Sequence, residues 1–202
     1  MPKKIILIRH GETEYNRQKK WQGWSDVPLN KAGRKQAQLL AHRLKHEVID
    51  VLYTSDLKRA VETARAIAKS VNLQVIKTKK LRERNIGILE GVNFQESVEK
   101  YKDIFDGLFG SHDESFKGHG GESVKEVKQR IKELWNEIRA EHQVKIVAIV
   151  THGGTKHHII RLLVTDFLQD MQFGNTAITI LKKDRDGAYQ ITLLSDISHL
   201  QE

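Results

Sequence analysis

Short uninterrupted apolar runs alternate along the chain with longer stretches in which apolar residues recur every three or four positions. That alternation predicts strands covered by helices around a largely parallel sheet. The first run, Lys4-Ile-Ile-Leu-Ile-Arg9, is too uniformly apolar for a strand with one wet face and suits one buried on both. A helix is expected around 30–47, with Ala37, Leu40, Ala41, Leu44 and Val48 on one stripe. Asp50 to Thr54 reads as a second strand. Ser55 or Asp56 would cap the next helix, whose stripe is Leu57, Ala60, Val61, Ala64, Ile67 and Ala68. Gln74 to Ile76 reads as a weaker third strand.

Residues 85–121 break the rhythm. The segment is rich in glycine and charge, holds scattered aromatics (Phe94, Tyr101, Phe105, Phe109, Phe116) and has no clean period. It is expected to be an insertion packed over the sheet edge, a lid over a site. Ser123-Val-Lys-Glu126 matches a capping box opening a helix with Val124, Val127, Ile131, Leu134 and Ile138 on one face. A strand over Lys145–Val150 and a helix over about Gly154–Val164 follow. Ala177–Leu181 and Tyr189–Leu194, joined through Asp184-Arg-Asp-Gly187, predict a hairpin.

With 202 residues, 39% of them hydrophobic, the chain suits one domain carrying that insertion. No run approaches the roughly 20 apolar residues of a membrane span, and no secretory pattern follows Ile8. The absence of cysteine excludes a thiol nucleophile, a disulfide framework and a Cys-rich metal site. A cytoplasmic protein is expected. The formal charge of +8 is spread over dispersed lysines with acidic residues among them, and aromatics are 6%, so no stacking platform is present. Neither nucleic acid nor a membrane is an expected partner.

The chemistry lies where two buried strands run into His-Gly: Ile5-Ile-Leu-Ile-Arg-His-Gly11 and Val147-Ala-Ile-Val-Thr-His-Gly153. Ligands bind at the carboxyl ends of strands in open α/β sheets, so His10 and His152 would face each other there. Gly153-Gly154 opens a helix whose free N–H groups favour an anion. A neutral imidazole can attack phosphorus through one nitrogen while the other donates to a carbonyl. Arg9 supplies a planar fork matched to phosphate oxygens. A second cation should come from Tyr53-Thr-Ser-Asp-Leu-Lys-Arg59. There Lys58 and Arg59 are equal candidates on charge, and helical geometry puts Arg59 opposite the apolar stripe, facing solvent.

Arg9-His10-Gly11-Glu12 resembles the signature of the histidine phosphatase, or phosphoglycerate mutase-like, superfamily, and the resemblance covers nearly the whole chain. Asn16 matches a phosphate-contacting asparagine. Asp26-Val-Pro-Leu-Asn-Lys-Ala-Gly-Arg-Lys-Gln-Ala37 is similar to the family's entry to its first helix. Ser55-Asp-Leu-Lys-Arg-Ala-Val-Glu-Thr-Ala64 resembles the segment that holds the second phosphate arginine, which selects Arg59. Leu81-Arg-Glu-Arg-Asn-Ile-Gly-Ile-Leu-Glu-Gly91 matches the acid/base segment at Glu83, and Thr151-His152-Gly153-Gly154 matches the second histidine.

The resemblance implies a three-layer α/β/α sandwich with a mostly parallel central sheet. It also implies a phosphatase acting through a phosphohistidine on a small phosphorylated metabolite. His10 would attack phosphorus, and Arg9, Arg59, His152, Asn16 and the Gly153 backbone would hold the phosphate. Glu83 would protonate the leaving alcohol and then activate water. No metal and no cofactor are required, since cationic side chains stabilise the charge. Flanking arginines would work against a general acid, so Arg82 and Arg84 are expected to point elsewhere. Glu12 is expected to turn toward a helix N-terminus or an arginine. His157 and His158 fit a surface or structural role, and His42, His46, His112, His142 and His199 show no ligand spacing. His119 and Lys117 are expected to face solvent unless they touch the substrate beyond its phosphate.

Mutases of the family carry His-Tyr after the acid/base position and a paired-arginine motif beyond it. Here Asn85-Ile86 stands instead, and no arginine occurs from 85 to 121. That pattern resembles the cofactor-independent phosphatase branch. The alternatives are a phosphoglycerate mutase and a non-catalytic phosphate-binding module.

Overall fold

The computed structural model describes residues 1–141, 144–167 and 171–201. Strand β1 (Lys4–Arg9) lies inside a six-stranded sheet with β2 (Val51–Ser55), β3 (Val75–Thr78), β4 (Ile146–Thr151), β5 (Ile178–Lys183) and β6 (Tyr189–Asp196). Their order is β3-β2-β4-β1-β5-β6. The first four run parallel, and β5 and β6 are antiparallel at one edge. The expected hairpin closes through Asp184, whose carboxylate accepts the N–H groups of Asp186 and Ala188.

The apolar run of β1 is explained by its two faces, since alternate side chains point to opposite sides of a strand. Ile6 and Ile8 pack with Leu40 and Leu44 of α2 (Lys31–Leu44) and with Ala60, Ala64 and Ile67 of α3 (Lys58–Val71). Ile5 and Leu7 pack with Val127, Ile131, Leu134 and Ile138 of α6 (Val124–Ala140) and Ile159 and Ile160 of α7 (Gly153–Leu163). The result is a sheet between two helical layers, as the resemblance implied.

Several boundaries differ from the sequence reading. Helix α2 ends at Leu44, so Val48 lies outside the stripe and is 68% exposed. Neither Ser55 nor Asp56 caps α3 as a helix N-cap residue; the first turn begins after Leu57, and the Lys58 N–H is taken by Asp26 Oδ1 at 2.7 Å. Ser55 serves only the Leu57 N–H, and Asp56 pairs with Arg82. A cap supplied from 32 residues away leaves no local signal. The capping box at Ser123 and Glu126 forms as expected.

Between β1 and α2 lies one short turn, α1 (Glu14–Arg17). The 85–121 insertion folds into α4 (Phe94–Lys100), α5 (Lys102–Phe105) and single turns at Gly87–Leu89 and Asp106–Gly110. It has a small core of its own, Ile86, Leu89 and Leu108, completed by Trp21, Tyr101, Ile104 and Phe116. Trp21 stacks on Phe109 with centroids 4.8 Å apart. The backbone of residues 19–21 pairs with that of Gly91, Val92 and Phe94. The insertion is therefore fastened to the loop after α1, where the sequence reading had expected a sheet edge.

Candidate active site

Helix α2, which follows β1, covers one face of the sheet, and α7, which follows β4, covers the other. Adjacent parallel strands whose helices part in this way leave a crevice at their carboxyl ends. The register pairs Arg9 with Thr151, so His10 and His152 leave the sheet side by side. Their ring centroids are 5.1 Å apart with planes inclined at 60°. His10 is 2% exposed and His152 1%.

The two rings differ in what holds Nδ1. In His10 it lies 2.7 Å from the Gly11 carbonyl oxygen, which only accepts. Nδ1 therefore carries the proton, and Nε2 presents its lone pair. In His152, Nδ1 accepts from Arg59 Nε at 3.2 Å, so Nε2 bears the hydrogen. Burial, reinforced by the charge of Arg59 and Arg9, holds both imidazoles well below the usual range. Both are neutral, one a nucleophile in form and the other a donor.

Arg59, expected to face solvent, is 0% exposed. Its Nη1 donates to Ser25 O at 2.7 Å and its Nη2 to Gly23 O at 2.8 Å. Burial pulls its guanidinium down to about 10, leaving it a cation at neutral pH. Lys58 instead points outward and pairs with Asp26. Arg9 donates from Nη1 to the Phe173 carbonyl. Among the described residues, buried Arg9 Nε and His152 Nε2 have no hydrogen-bond partner. Each unpaired buried donor costs about 1–3 kcal/mol, so two of them beside two guanidiniums make a seat for an oxyanion.

Glu83 reaches the same crevice from the 79–86 segment. Its Oε2 accepts the Gly154 N–H at 2.9 Å, and its Oε1 accepts the Thr155 N–H at 3.0 Å. The helix N-terminus read as an anion seat is thus occupied by this carboxylate. Gly153 lies beside Arg9, where an added Cβ would sit 3.9 Å from Nε. Three successive carbonyls fix the approach of Glu83. Thr151 Oγ1 holds Leu81 O, Thr155 Oγ1 holds Arg82 O, and Trp24 Nε1 with Arg130 Nη2 holds Glu83 O. Arg82 turns away to Asp56 and lies over the Trp24 ring, while Arg84 donates to Glu122 O and Leu108 O. Both flanking arginines point elsewhere, as expected.

Asn16 Oδ1 accepts from the Thr13 N–H and hydroxyl, which leaves its Nδ2 as the donor end. Glu12 accepts from Asn30 Nδ2, the residue that caps α2, and so turns to a helix N-terminus as predicted. His119 does not face solvent. It is fully buried, with Nε2 at 3.2 Å from Asn85 O and 3.1 Å from Glu122 O, and it stacks on Phe116. Lys117 is exposed and pairs with Glu126. His42, His46 and His112 are exposed, His157 packs edge-on to Phe167, and His142 lies outside the described residues.

Sequence reasoning missed the supports. Glu90 accepts from the Trp24 N–H and Ser25 hydroxyl, bracing the loop that holds Arg59. Arg130 pairs with Glu122 and donates to Lys80 O and Glu83 O. Lys156, fully buried, donates to Ala177 O at 2.8 Å and lies 4.4 Å from the Phe173 ring centroid. Glu90 sits inside the quoted acid/base motif, the one signal that pointed its way.

Among the described residues, no group of three or more His, Cys, Asp or Glu forms a metal cage, and no helix is long and apolar enough to cross a membrane. The site joins a neutral nucleophilic nitrogen, a neutral imidazole donor, two guanidiniums and one carboxylate, a set suited to moving a phosphoryl group.

Known proteins agree with that reading. The metal-independent phosphoserine phosphatase of Arabidopsis thaliana is 36% identical over 198 residues, covering 97% of this chain and 82% of that protein. A 2,3-bisphosphoglycerate-dependent phosphoglycerate mutase of Buchnera aphidicola subsp. Acyrthosiphon pisum is 34% identical, covering 79% of this chain and 82% of that one. The crystal structure of phosphoserine phosphatase from Entamoeba histolytica, in complex with 3-phosphoglyceric acid, superposes with a TM-score of 0.81 at 32% identity, covering 98% of each chain. The family description for the histidine phosphatase superfamily, branch 1, fits residues 5–196, and the chain belongs to that superfamily.

Proposed function

We propose that His10 is the phosphoryl acceptor of a phosphatase whose proton donor is Glu83. The chain is a phosphomonoester hydrolase acting on small phosphorylated metabolites. The observation that carries the assignment is the 2.7 Å contact from His10 Nδ1 to Gly11 O, which leaves the Nε2 lone pair facing the crevice. In the first step Nε2 bonds to phosphorus as the ester P–O bond breaks, and the leaving oxygen takes a proton from Glu83. Arg9, Arg59, Asn16 Nδ2, the Gly153 backbone and His152 Nε2–H hold the phosphoryl oxygens. In the second step water attacks phosphorus, Glu83 takes back a proton, and the P–N bond breaks to free phosphate and a neutral imidazole.

Substrate candidates are phosphoserine and 3-phosphoglycerate, supported by what the phosphoserine phosphatases among its relatives act on or hold. Residues 85–121 serve as the lid bordering the substrate beyond its phosphate, a reading supported by their attachment to the Trp21 loop. Hydrolysis needs no metal, as in the relative named for that property. A cytoplasmic location belongs to the same proposal. Transfer to a second phosphoglycerate is the competing outcome, and the arginine-free 85–121 segment argues against it. A metabolite screen in EDTA, with Glu83→Gln beside wild type, tests this function. Phosphate release from phosphoserine, 3-phosphoglycerate or a sugar phosphate, strongly reduced in the variant, supports it. No release from any phosphomonoester, or release only when a divalent ion is restored, contradicts it.

A further inference from the structure

Residues 173–177 form a strap across the start of the site. The Arg9 guanidinium donates to Phe173 O, and the Arg9 N–H donates to Ala177 O. The His10 carbonyl accepts twice, from Asn175 Nδ2 at 3.0 Å and from the Thr176 N–H at 3.2 Å. Thr176 holds this position in the left-handed region, at φ +58°. A β-branched residue there is a backbone outlier, and such strain persists only where surroundings over-determine it. The surroundings are specific. Thr176 is fully buried, its hydroxyl donates to Asn175 O at 2.7 Å, and His199 Nε2 lies 2.9 Å from the same oxygen. With the hydroxyl proton committed to Asn175, His199 Nε2 is the donor in that contact. His199 is the one buried residue of the turn Ser198–Leu200 that follows β6.

We propose that Thr176 and His199 are positioning residues that set the geometry of the nucleophile. The bond from His199 locks the Thr176 hydroxyl, the locked hydroxyl holds the strained turn, and the turn aims two donors at the His10 carbonyl. That carbonyl fixes the peptide unit joining His10 to Gly11. The Gly11 carbonyl in turn orients the imidazole through Nδ1. Neither residue touches the phosphoryl group; their action passes through backbone. The proposal rests on His10 being the nucleophile.

The test compares Thr176→Val, Thr176→Ser, Thr176→Gly, His199→Phe and His10→Ala in steady-state and single-turnover phosphate release. Thr176→Gly relaxes the φ strain and so keeps the fold while removing the latch. Displacing a reacting group by about 1 Å costs on the order of 100-fold in rate, so Thr176→Val, Thr176→Gly and His199→Phe should lower kcat by about 10- to 100-fold. KM should move less than about 3-fold, and Thr176→Ser, which keeps the hydroxyl, should restore wild-type kcat. Normal kcat in Thr176→Gly or His199→Phe, or losses of kcat that match the loss of folded protein, would overturn the positioning role. A His10→Ala variant with full turnover would overturn the nucleophile assignment itself, and this proposal with it. Inactive His10→Ala beside fully active latch variants would remove the proposal alone.

Discussion

The two strand-to-His-Gly junctions share a sequence pattern and a level in the sheet, yet the structure gives their imidazoles opposite chemical forms. At the β1 junction Nδ1 is bound to a backbone carbonyl, so Nε2 is basic. At the β4 junction Nδ1 is bound to Arg59, so Nε2 is a hydrogen-bond donor. The strand delivers the ring; the neighbour of Nδ1 decides its tautomer and hence its task. A pair of like motifs can therefore supply an attacking atom and a stabilising donor without any difference in burial.

Substitutions that separate the two junctions should rank accordingly. If His10 is the phosphoryl acceptor, His10→Ala should lower kcat for p-nitrophenyl phosphate by about 10⁴-fold or more. Removing the donor in His152→Ala should cost about 10²- to 10³-fold and still permit phosphorylation of His10. Equal losses in both variants would erase the distinction. Arg59→Lys keeps the charge but loses the Nε–H that fixes the His152 tautomer. It should cost about 10- to 100-fold in kcat, since a planar fork is not replaced by a point charge. Full activity in that variant would show that the charge alone matters.

The pH dependence has a definite sign. Burial depresses both imidazoles, so both should stay neutral as pH falls through about 6.5, the ordinary histidine value. Unfolded rings take up protons there that folded ones do not, so these groups' contribution to stability is lost as pH drops below that point. Histidine ring NMR of the free protein reads this directly, and a midpoint near 6.5 for either ring would contradict it. The smallest effect concerns Lys156, one turn beyond His152 and without a counterpart after His10. Burial, helped by Arg9, holds its amine well below the usual lysine range. The unfolded lysine is protonated at neutral pH, so the buried one costs stability below about 10.4. Lys156→Met should be neutral or stabilising at pH 7, within about 1–2 kcal/mol, because the lost bond to Ala177 O offsets part of the gain. Urea unfolding should show wild type gaining on the variant between pH 7 and 9.5.

How much of this was legible in sequence follows from where the causes lie. The apolar runs of β1 and β4 are local, and they announced both the sheet and the places where His10 and His152 leave it. Arg59 was misread because a helical wheel records angle only. Side chains of a first turn tilt back toward the helix N-terminus, which here brings the guanidinium to His152 and to the Gly23 and Ser25 carbonyls. Glu83 caps α7 at Gly154 from 71 residues away, and Asp26 serves α3 from 32 away, so no capping rule could find either. The left-handed Thr176 has no local signal, and His199, which meets its hydroxyl, lies 23 residues further on. The 85–121 helices are short and pack on Trp21 rather than on the sheet, which explains their lack of a clear period.

The most direct measurement is rapid quenching of Glu83→Gln with a phosphorylated substrate, followed by ³¹P NMR and peptide mapping of the acid-labile phosphate. Phosphate on Nε2 of His10, absent in His10→Ala, is the predicted result. Phosphate on Nδ1 of His10, on His152, or on no histidine during active turnover would contradict the account.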